Sequence, residues 1–207
     1  MVNRNQELLG EELDRVPLSP LLFSIYAEMM MMEVLEGMEE GVRVVGVLIS
    51  DIRFADDQGM VASSEMGLQR LMDRLNAIAK KYSMRINIKK TKTMVVSKKD
   101  GRTVSIMIDG QKVEQVKTFK YLGSVIAEDG RCMDDIKQRI GCAKDAFNNR
   151  KELLSKSMNK PLKKRIVKAL VWPVALYGCE TWVMKKEAMD RLEAFEMWVW
   201  RRLEKVS

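Results

Sequence analysis

The sequence contains no histidine. That absence removes Ser-His-Asp and Cys-His nucleophilic catalysis, and with them every metal site built on imidazole. Cysteine is scarce: Cys132, Cys142 and Cys179 are far apart and odd in number, and no C-x-x-C pair occurs. Neither a disulfide framework nor a zinc module is expected, and a reduced intracellular setting, nuclear or cytoplasmic and not secreted, fits best. Long apolar runs are missing as well. Val42–Ile49 and Ala169–Cys179 are too short to span a bilayer, and the polar, acidic stretch from Met1 to Glu12 lacks the marks of a secretory signal. The sequence therefore reads as a soluble protein with no membrane partner. There is no G-x-x-x-x-G-K-[ST] loop and no G-x-G-x-x-G, which leaves ATPase and dinucleotide readings without support. Ser157-Met158-Asn159-Lys160 fits a short hydrolase pattern, but nothing else of such an enzyme accompanies it.

What is present suits a packed protein. The chain has 207 residues, 46% of them hydrophobic and 31% charged, enough for a core under a well-solvated surface. The net charge of +7 is unevenly spread. Residues 1–79 hold 6 basic and 14 acidic side chains, residues 80–120 hold 12 and 3, and residues 121–207 hold 18 and 12. An acidic first part followed by a strongly basic middle suits a polyanion such as nucleic acid, and equally a lysine-rich solvated surface.

Along the chain, Leu21 to Met32 reads as one helix in which the four consecutive methionines fill core gaps. Val44 to Ile52 reads as a buried strand. Ala55-Asp56-Asp57-Gln58-Gly59 carries turn residues, and the apolar run resumes at Met60, so a β-hairpin with two aspartates at its tip is expected. Ser64 is placed to cap a helix whose apolar face is Leu68, Leu71, Leu75, Ile78 and Tyr82. Short strands are expected near Ile86, over Met94–Ser97, over Val104–Ile108 with a turn at Asp109-Gly110, and from Thr118 to Ile126. From there the pattern is helical. Ile136, Ile140, Ala143 and Phe147 form one face, Asn159 with Pro161 starts a second helix, and Met189, Leu192, Phe195, Val199 and Leu203 line a third. The order is α+β to about residue 130 and helical afterwards, which divides the chain into 1–130 and 131–207.

The hairpin carries the chemistry. Two adjacent carboxylates at a strand-to-strand turn make a hard-oxygen site for Mg²⁺ or Mn²⁺, the ions that nucleotidyl transfer needs to activate a 3′-hydroxyl and neutralise phosphate charge. Taken alone, Asp56-Asp57 also fits an ordinary solvated turn.

Five elements in order extend the reading. Leu18-Ser19-Pro20-Leu21-Leu22-Phe23-Ser24-Ile25-Tyr26-Ala27-Glu28 resembles the Leu-Ser-Pro helix start of non-LTR (LINE-type) retrotransposon reverse transcriptases. Arg53-Phe54-Ala55-Asp56-Asp57 resembles their metal-binding hairpin. Asn87, Lys90, Thr91 and Lys92 reproduce an Asn-x-x-Lys-Thr-Lys element, and Phe119-Lys120-Tyr121-Leu122-Gly123-Ser124 resembles the primer-grip hairpin. Pro173, Leu176-Tyr177-Gly178 and Glu180-Thr181-Trp182 resemble the thumb that follows. The resemblance implies a partial palm, an antiparallel sheet with helices, followed by an all-helical thumb. It implies Asp56 and Asp57 as catalytic metal ligands. Ser19 and Pro20 would shape the nucleotide-facing helix, Lys90 and Lys92 would lie near triphosphate or template, and Tyr121, Leu122 and Gly123 would guide the primer end. RNA and DNA, as template and primer, are the implied partners, with the basic helices from Lys137 to Lys168 along the duplex backbone. Each assignment has a structural rival: Lys90 and Lys92 solvated, Tyr121 and Leu122 in a sheet core. Trp172, Trp182, Trp198 and Trp200 are read as thumb core in preference to base-stacking platforms.

The sequence also departs from the family. The upstream strand that bears a further aspartate is missing ahead of Leu18. Asp14 lies too close to Leu18 to replace it, and Asp51, at an odd offset from Asp56, is aimed at the opposite face. Arg15-Val16-Pro17-Leu18-Ser19-Pro20 lacks the family's Gln-Gly, and Gln58-Gly59 stands where apolar residues are usual. These departures imply an RNA-directed DNA polymerase fragment that is catalytically incomplete alone, with metal binding weak or lost, or else a non-catalytic nucleic-acid-binding retroelement remnant. A second polypeptide supplying the missing palm strand is the implied partner. An uncovered sheet edge and apolar face would make the isolated protein prone to self-association.

Overall fold

The computed structural model describes residues 2–3, 19–97, 101–150, 153, 155 and 158–206. The chain forms two compact units, one from Met1–Val95 with Gly101–Val116 and one from Val96–Asp100 with Lys117–Ser207. Both strands and helices are present, as an α+β chain requires. Among the described residues no helix is long and apolar enough to cross a membrane.

In the first unit a two-residue strand β1 (Val2–Asn3) is followed by helix α1 (Ser19–Leu35). The methionine run continues α1 as expected, but α1 is apolar nearly all round and only part of it is covered. Ala27, Met30, Met31 and Val34 are buried, whereas Leu21, Leu22, Ile25, Met29 and Met32 are exposed. The stretch expected as one buried strand from Val44 to Ile52 is instead two hairpins. Strands β2 (Val42–Val44) and β3 (Val47–Ile49) fold back through Val45-Gly46, then β4 (Asp51–Phe54) pairs with β5 (Asp57–Met60). The reason is Gly46: with Val45 at φ 50 and Gly46 at φ 82, the pair forms the two-residue left-handed turn that matches strand twist. The apolar periodicity hides that turn because the residue before the glycine is a valine, an unfavourable choice at positive φ and here 98% exposed.

Helix α2 (Glu65–Lys81) forms as its 3–4 spacing predicts. The Ser64 hydroxyl accepts the Gly67 N–H at 3.1 Å, and Leu71 and Leu75 are buried. Its side chains then organise the short strands that follow, β6 (Arg85–Ile86), β7 (Lys92–Thr93), β8 (Met107–Ile108), β9 (Gln111–Lys112) and β10 (Glu114–Gln115). The Gln69 amide donates to the Met107 carbonyl and its oxygen accepts the Met107 N–H, both at 2.8 Å, so a helix side chain occupies the place of a neighbouring strand. Asn76 and Lys80 both reach Asp109 in the β8–β9 turn, at 2.8 and 2.5 Å. Asp109-Gly110 forms that turn as expected, but Met94–Ser97 is not a strand. The pairing is antiparallel throughout except β7 with β10, which is parallel, and the described residues form six separate two-stranded pairs where one sheet was expected. The core of this unit is Met30, Met31, Val34, Met72, Leu75, Ala79, Met84, Ile86, Ile106, Ile108 and Val113.

The second unit opens with a hairpin of β11 (Thr118–Tyr121) and β12 (Ser124–Ala127), the hairpin that the resemblance at Phe119–Ser124 implies, where composition alone suggests a single strand over Thr118–Ile126. Here too an X-Gly pair turns the chain, with Leu122 at φ 48 and Gly123 at φ 85. Then come α3 (Met133–Asn148), α4 (Lys160–Leu170), the short α5 (Trp172–Ala175), a 3₁₀ turn (Cys179–Thr181) and α6 (Lys186–Glu204). Asn159 caps α4 by accepting the Leu162 N–H at 2.9 Å, with Pro161 in the first turn, as its sequence predicts. The core gathers Ala143, Phe147, Val167, Val171, Ala175, Phe195, Val199 and Leu203, with Trp172, Trp198 and Trp200 packed at its margin. Met189, expected on the apolar face of α6, is exposed and Ala188 is buried instead. Phe195 lies edge-to-face with Trp172 and stacked on Trp198, and Trp182 is buried against Ile136 and Ala188.

Two predictions follow from the first unit. Glu33 on α1 accepts from Lys81 Nζ at 2.5 Å and from the Tyr82 hydroxyl at 3.1 Å. These contacts, the Lys81 hydrogen bond foremost, hold the Glu33 carboxyl below its usual range, and the Lys81 ammonium is raised in turn. A depressed carboxylate contributes stability above its unfolded value and loses it as pH falls through the folded one. Protection of the amides of residues 65–82, measured against their intrinsic exchange rate at each pH, should therefore fall below about pH 4.5, the ordinary glutamate range. Glu33→Gln should remove that dependence and leave exchange at pH 7 faster than in the parent. At the β2–β3 turn, Val45→Asn should raise stability by roughly 1 kcal/mol, read as a higher thermal midpoint, since asparagine tolerates the left-handed region that valine resists.

Candidate functional site

The Asp56 and Asp57 carboxylates sit at the hairpin bend that their sequence predicts. Phe54 pairs with Asp57, leaving Ala55-Asp56 as a two-residue loop with Ala55 at φ 53. Asp56 is exposed and Asp57 half-buried. Because side chains alternate along a strand and cross-strand partners share a face, Ile52, Phe54, Asp57 and Gly59 lie on one side of this ribbon. Asp51, Arg53, Gln58 and Met60 lie on the other. Arg53 fastens the second side to α1: its guanidinium holds Glu28 Oε2 at 2.8 Å and Asp51 Oδ2 at 2.5 Å. Arg53 has no role assigned from its sequence; its one local signal is Asp51, two residues back on the same face of β4, whereas Glu28 lies 25 residues away on α1. Phe54, 63% exposed, stands beside Asp57 on the open side.

This geometry bears directly on metal binding. A magnesium ion takes six oxygen ligands and retains waters, and a paired-ion centre for phosphoryl transfer needs carboxylates from more than one strand. Asp56 and Asp57 offer adjacent oxygens on a stiff bend. Asp51 on the same hairpin and Glu28 on α1 are committed to Arg53 on the opposite side, and Glu33 on α1 is committed to Lys81 and Tyr82. Among the described residues there is no group of three or more acidic, cysteine or histidine side chains able to hold a metal. The described residues therefore do not by themselves fit a two-ion centre.

The other residues singled out by sequence fall as follows. Ser19 opens α1, and the Pro20 carbonyl accepts the Ser24 hydroxyl at 2.9 Å. The preceding Arg15–Leu18, and Asp14, lie outside the described residues. Asn87 organises its own motif, its carbonyl accepting the Thr91 N–H and hydroxyl and its side chain accepting the Lys90 N–H. Lys90 is exposed, but Lys92 is engaged with Glu114 at 2.5 Å.

In the second unit the structure brings together two motifs that the sequence separates by about fifty residues. The Tyr177 hydroxyl donates to the Leu122 carbonyl at 3.1 Å, and Arg139 donates to the Gly123 carbonyl at 2.6 Å. The Arg139 guanidinium lies 4.2 Å from the centre of the Tyr177 ring. Gly178, at φ 74, lets the chain pass so close to Ser124 that a Cβ there would fall 2.7 Å from the Ser124 hydroxyl. Beneath this cluster Asp135, 2% exposed, accepts the Val125 N–H at 2.9 Å and the Trp182 indole N–H at 2.8 Å, with Arg139 Nε at 3.8 Å. Asp135 and Arg139 escaped the sequence reading. Their signal was a charged pair four residues apart beside Ile136 and Ile140 on the apolar face of α3. Elsewhere in this unit, Lys144 and Arg202 flank the Trp198 ring and Lys164 lies over Trp200.

Comparison with known proteins adds two findings. A family model described as reverse transcriptase (RNA-dependent DNA polymerase) matches residues 16–126, more than half of the chain. A transposon-derived protein of Caenorhabditis elegans is 26% identical over 163 residues, which cover 78% of this chain and 58% of that relative. The chain thus spans under two thirds of the length of the relative it matches.

Asp135 offers a direct test of the buried cluster. Asp135→Ala strands the Trp182 and Val125 donors and the Arg139 cation, and should cost about 3 kcal/mol. All four tryptophans lie in the second unit, so their fluorescence during urea unfolding reports on this unit alone. A loss below about 1 kcal/mol would contradict the network.

Proposed function

Because this chain belongs to the reverse transcriptase (RNA-dependent DNA polymerase) family, we propose that it is the rear portion of a retrotransposon polymerase of the non-LTR kind. In this reading residues 1–130 are a partial palm and residues 131–207 a thumb, and the portion binds template and primer but does not polymerise alone. The observation that carries this reading is the Phe54–Asp57 bend inside the matched residues 16–126, with adjacent aspartates presented on a side-chain-anchored hairpin. The transposon-derived relative supports a retroelement origin.

Asp56 is the principal ligand for Mg²⁺ or Mn²⁺ and Asp57 its neighbour, with the remaining coordination left to water and substrate. A bound ion would supply charge neutralisation at phosphate. Two carboxylates do not assemble a paired-ion centre, so the third comes from outside the described residues, and this reading assigns it to a partner polypeptide. The exposed apolar residues of α1, Leu21, Leu22, Ile25, Met29 and Met32, support the need for such a covering polypeptide. Pro20 and Ser19 set the start of the nucleotide-side helix. Lys90 is available to phosphate, and Lys92 becomes available on leaving Glu114. Tyr121, Leu122 and Gly123 form the primer-side turn. The exposed lysines and arginines of α3 and α4, Lys137, Lys164, Arg165 and Lys168, give the sequence-independent backbone contacts, while Arg139 is engaged within the protein.

The test is a template–primer binding and extension series. Affinity should fall about a thousandfold between 50 and 200 mM salt if some six phosphates are contacted, and should survive Asp56→Ala. The chain alone should incorporate no nucleotide with Mg²⁺ or Mn²⁺. Extension that disappears in Asp56→Ala would overturn the incompleteness, and an absence of binding at low salt would overturn the polymerase reading itself.

A further inference from the structure

The turn Leu122-Gly123 combines three features that rarely coincide. Leu122 holds a left-handed backbone that leucine disfavours, its side chain is substantially exposed, and the carbonyls of both turn residues are capped by side chains from other elements. An ordinary solvated turn leaves its carbonyls to water. Here Arg139 is largely buried, gives one nitrogen to Gly123, approaches the Ser124 hydroxyl at 3.5 Å, stacks on Tyr177 and faces the Asp135 carboxylate. Burying a guanidinium to secure one carbonyl is expensive unless the position of the turn matters. Asp135 compensates the charge and, through Val125 and Trp182, fixes the ribbon's other strand to α3.

The geometry points to Arg139 and Tyr177 as positioning residues that hold the Leu122–Gly123 turn in the one orientation able to meet a primer terminus. This rests on the reading of the hairpin as primer-side. Neither residue touches nucleic acid in this account. Arg139 acts through one guanidinium nitrogen on the Gly123 carbonyl while its flat face stacks on the Tyr177 ring, a planar combination that lysine lacks, and Tyr177 acts through its hydroxyl. The strained turn thereby becomes a rigid guide in place of a flexible loop tip.

The experiment uses the full chain with a template–primer whose primer ends in 4-thiothymidine, photo-crosslinked and mapped by peptide mass. In the parent, adducts should concentrate on residues 121–124. In Arg139→Ala the yield at those residues should fall about tenfold, and in Tyr177→Phe about threefold, while template–primer affinity stays within about threefold. Tryptophan fluorescence confirms that the unit is folded, and the milder Tyr177→Phe carries the test if Arg139→Ala is not. Arg139→Lys keeps the charge and should leave the crosslink low; full recovery would show that charge alone suffices and would overturn the inference. Adducts on 121–124 that are unchanged in Arg139→Ala and Tyr177→Phe would also overturn it while leaving the primer-side reading intact. Absence of adducts at 121–124 in the parent, despite tight binding, would overturn the primer-side reading and the inference with it.

Discussion

A two-stranded ribbon cannot hold its shape in water by backbone pairing alone, and the strands of this protein occur only in such pairs among the described residues. Stability has to come from elsewhere, and it comes from helix side chains that bond to the ribbons. Glu28 on α1 receives Arg53 of the aspartate hairpin. Gln69, Asn76 and Lys80 on α2 secure β8 and its turn. Asp135 and Arg139 on α3 secure the hairpin at residues 118–127. The helices therefore serve as both core and anchorage. The three ribbons so tied owe part of their rigidity to these polar contacts, and Ile86 and Ile108 add apolar burial at β6 and β8.

This arrangement gives the two aspartates their character. Arg53 neutralises Asp51 and Glu28 on one side of the ribbon, so the negative charge of the bend is concentrated at its tip and open side. The rest of the chain is graded in the opposite sense, from an acidic first 79 residues to a strongly basic stretch over 80–120 and a basic helical end. A polyanion would be drawn to the later surfaces, and a cation to the bend.

Much of the helical structure was legible because helices announce themselves locally. The 3–4 spacing of Leu68, Leu71, Leu75 and Ile78, the Ser64 cap and the Asn159-Pro161 start all lie within a few residues of what they organise. The Asp56-Asp57 bend was legible for the same reason. The strands were harder. Val44 to Ile52 has the composition of one buried strand, and only Gly46 betrays that it folds back on itself. Thr118 to Ile126 misleads similarly by composition, and there the family motif over Phe119–Ser124 supplies the hairpin that periodicity hides. The polar anchors were least visible. Asp135 finds its partners 10 and 47 residues away, at Val125 and Trp182, and no short-range pattern encodes that meeting.

The Gln69 amide has a bearing beyond local stability. By offering one donor and one acceptor to Met107, it presents to β8 what another strand's backbone would present. A protein built from short ribbons has many unsatisfied margins, each an invitation for a neighbouring molecule to zip on and propagate. At this margin the invitation has already been accepted from within. A single glutamine therefore acts as a molecular hem, closing a frayed border that would otherwise be open to runaway assembly.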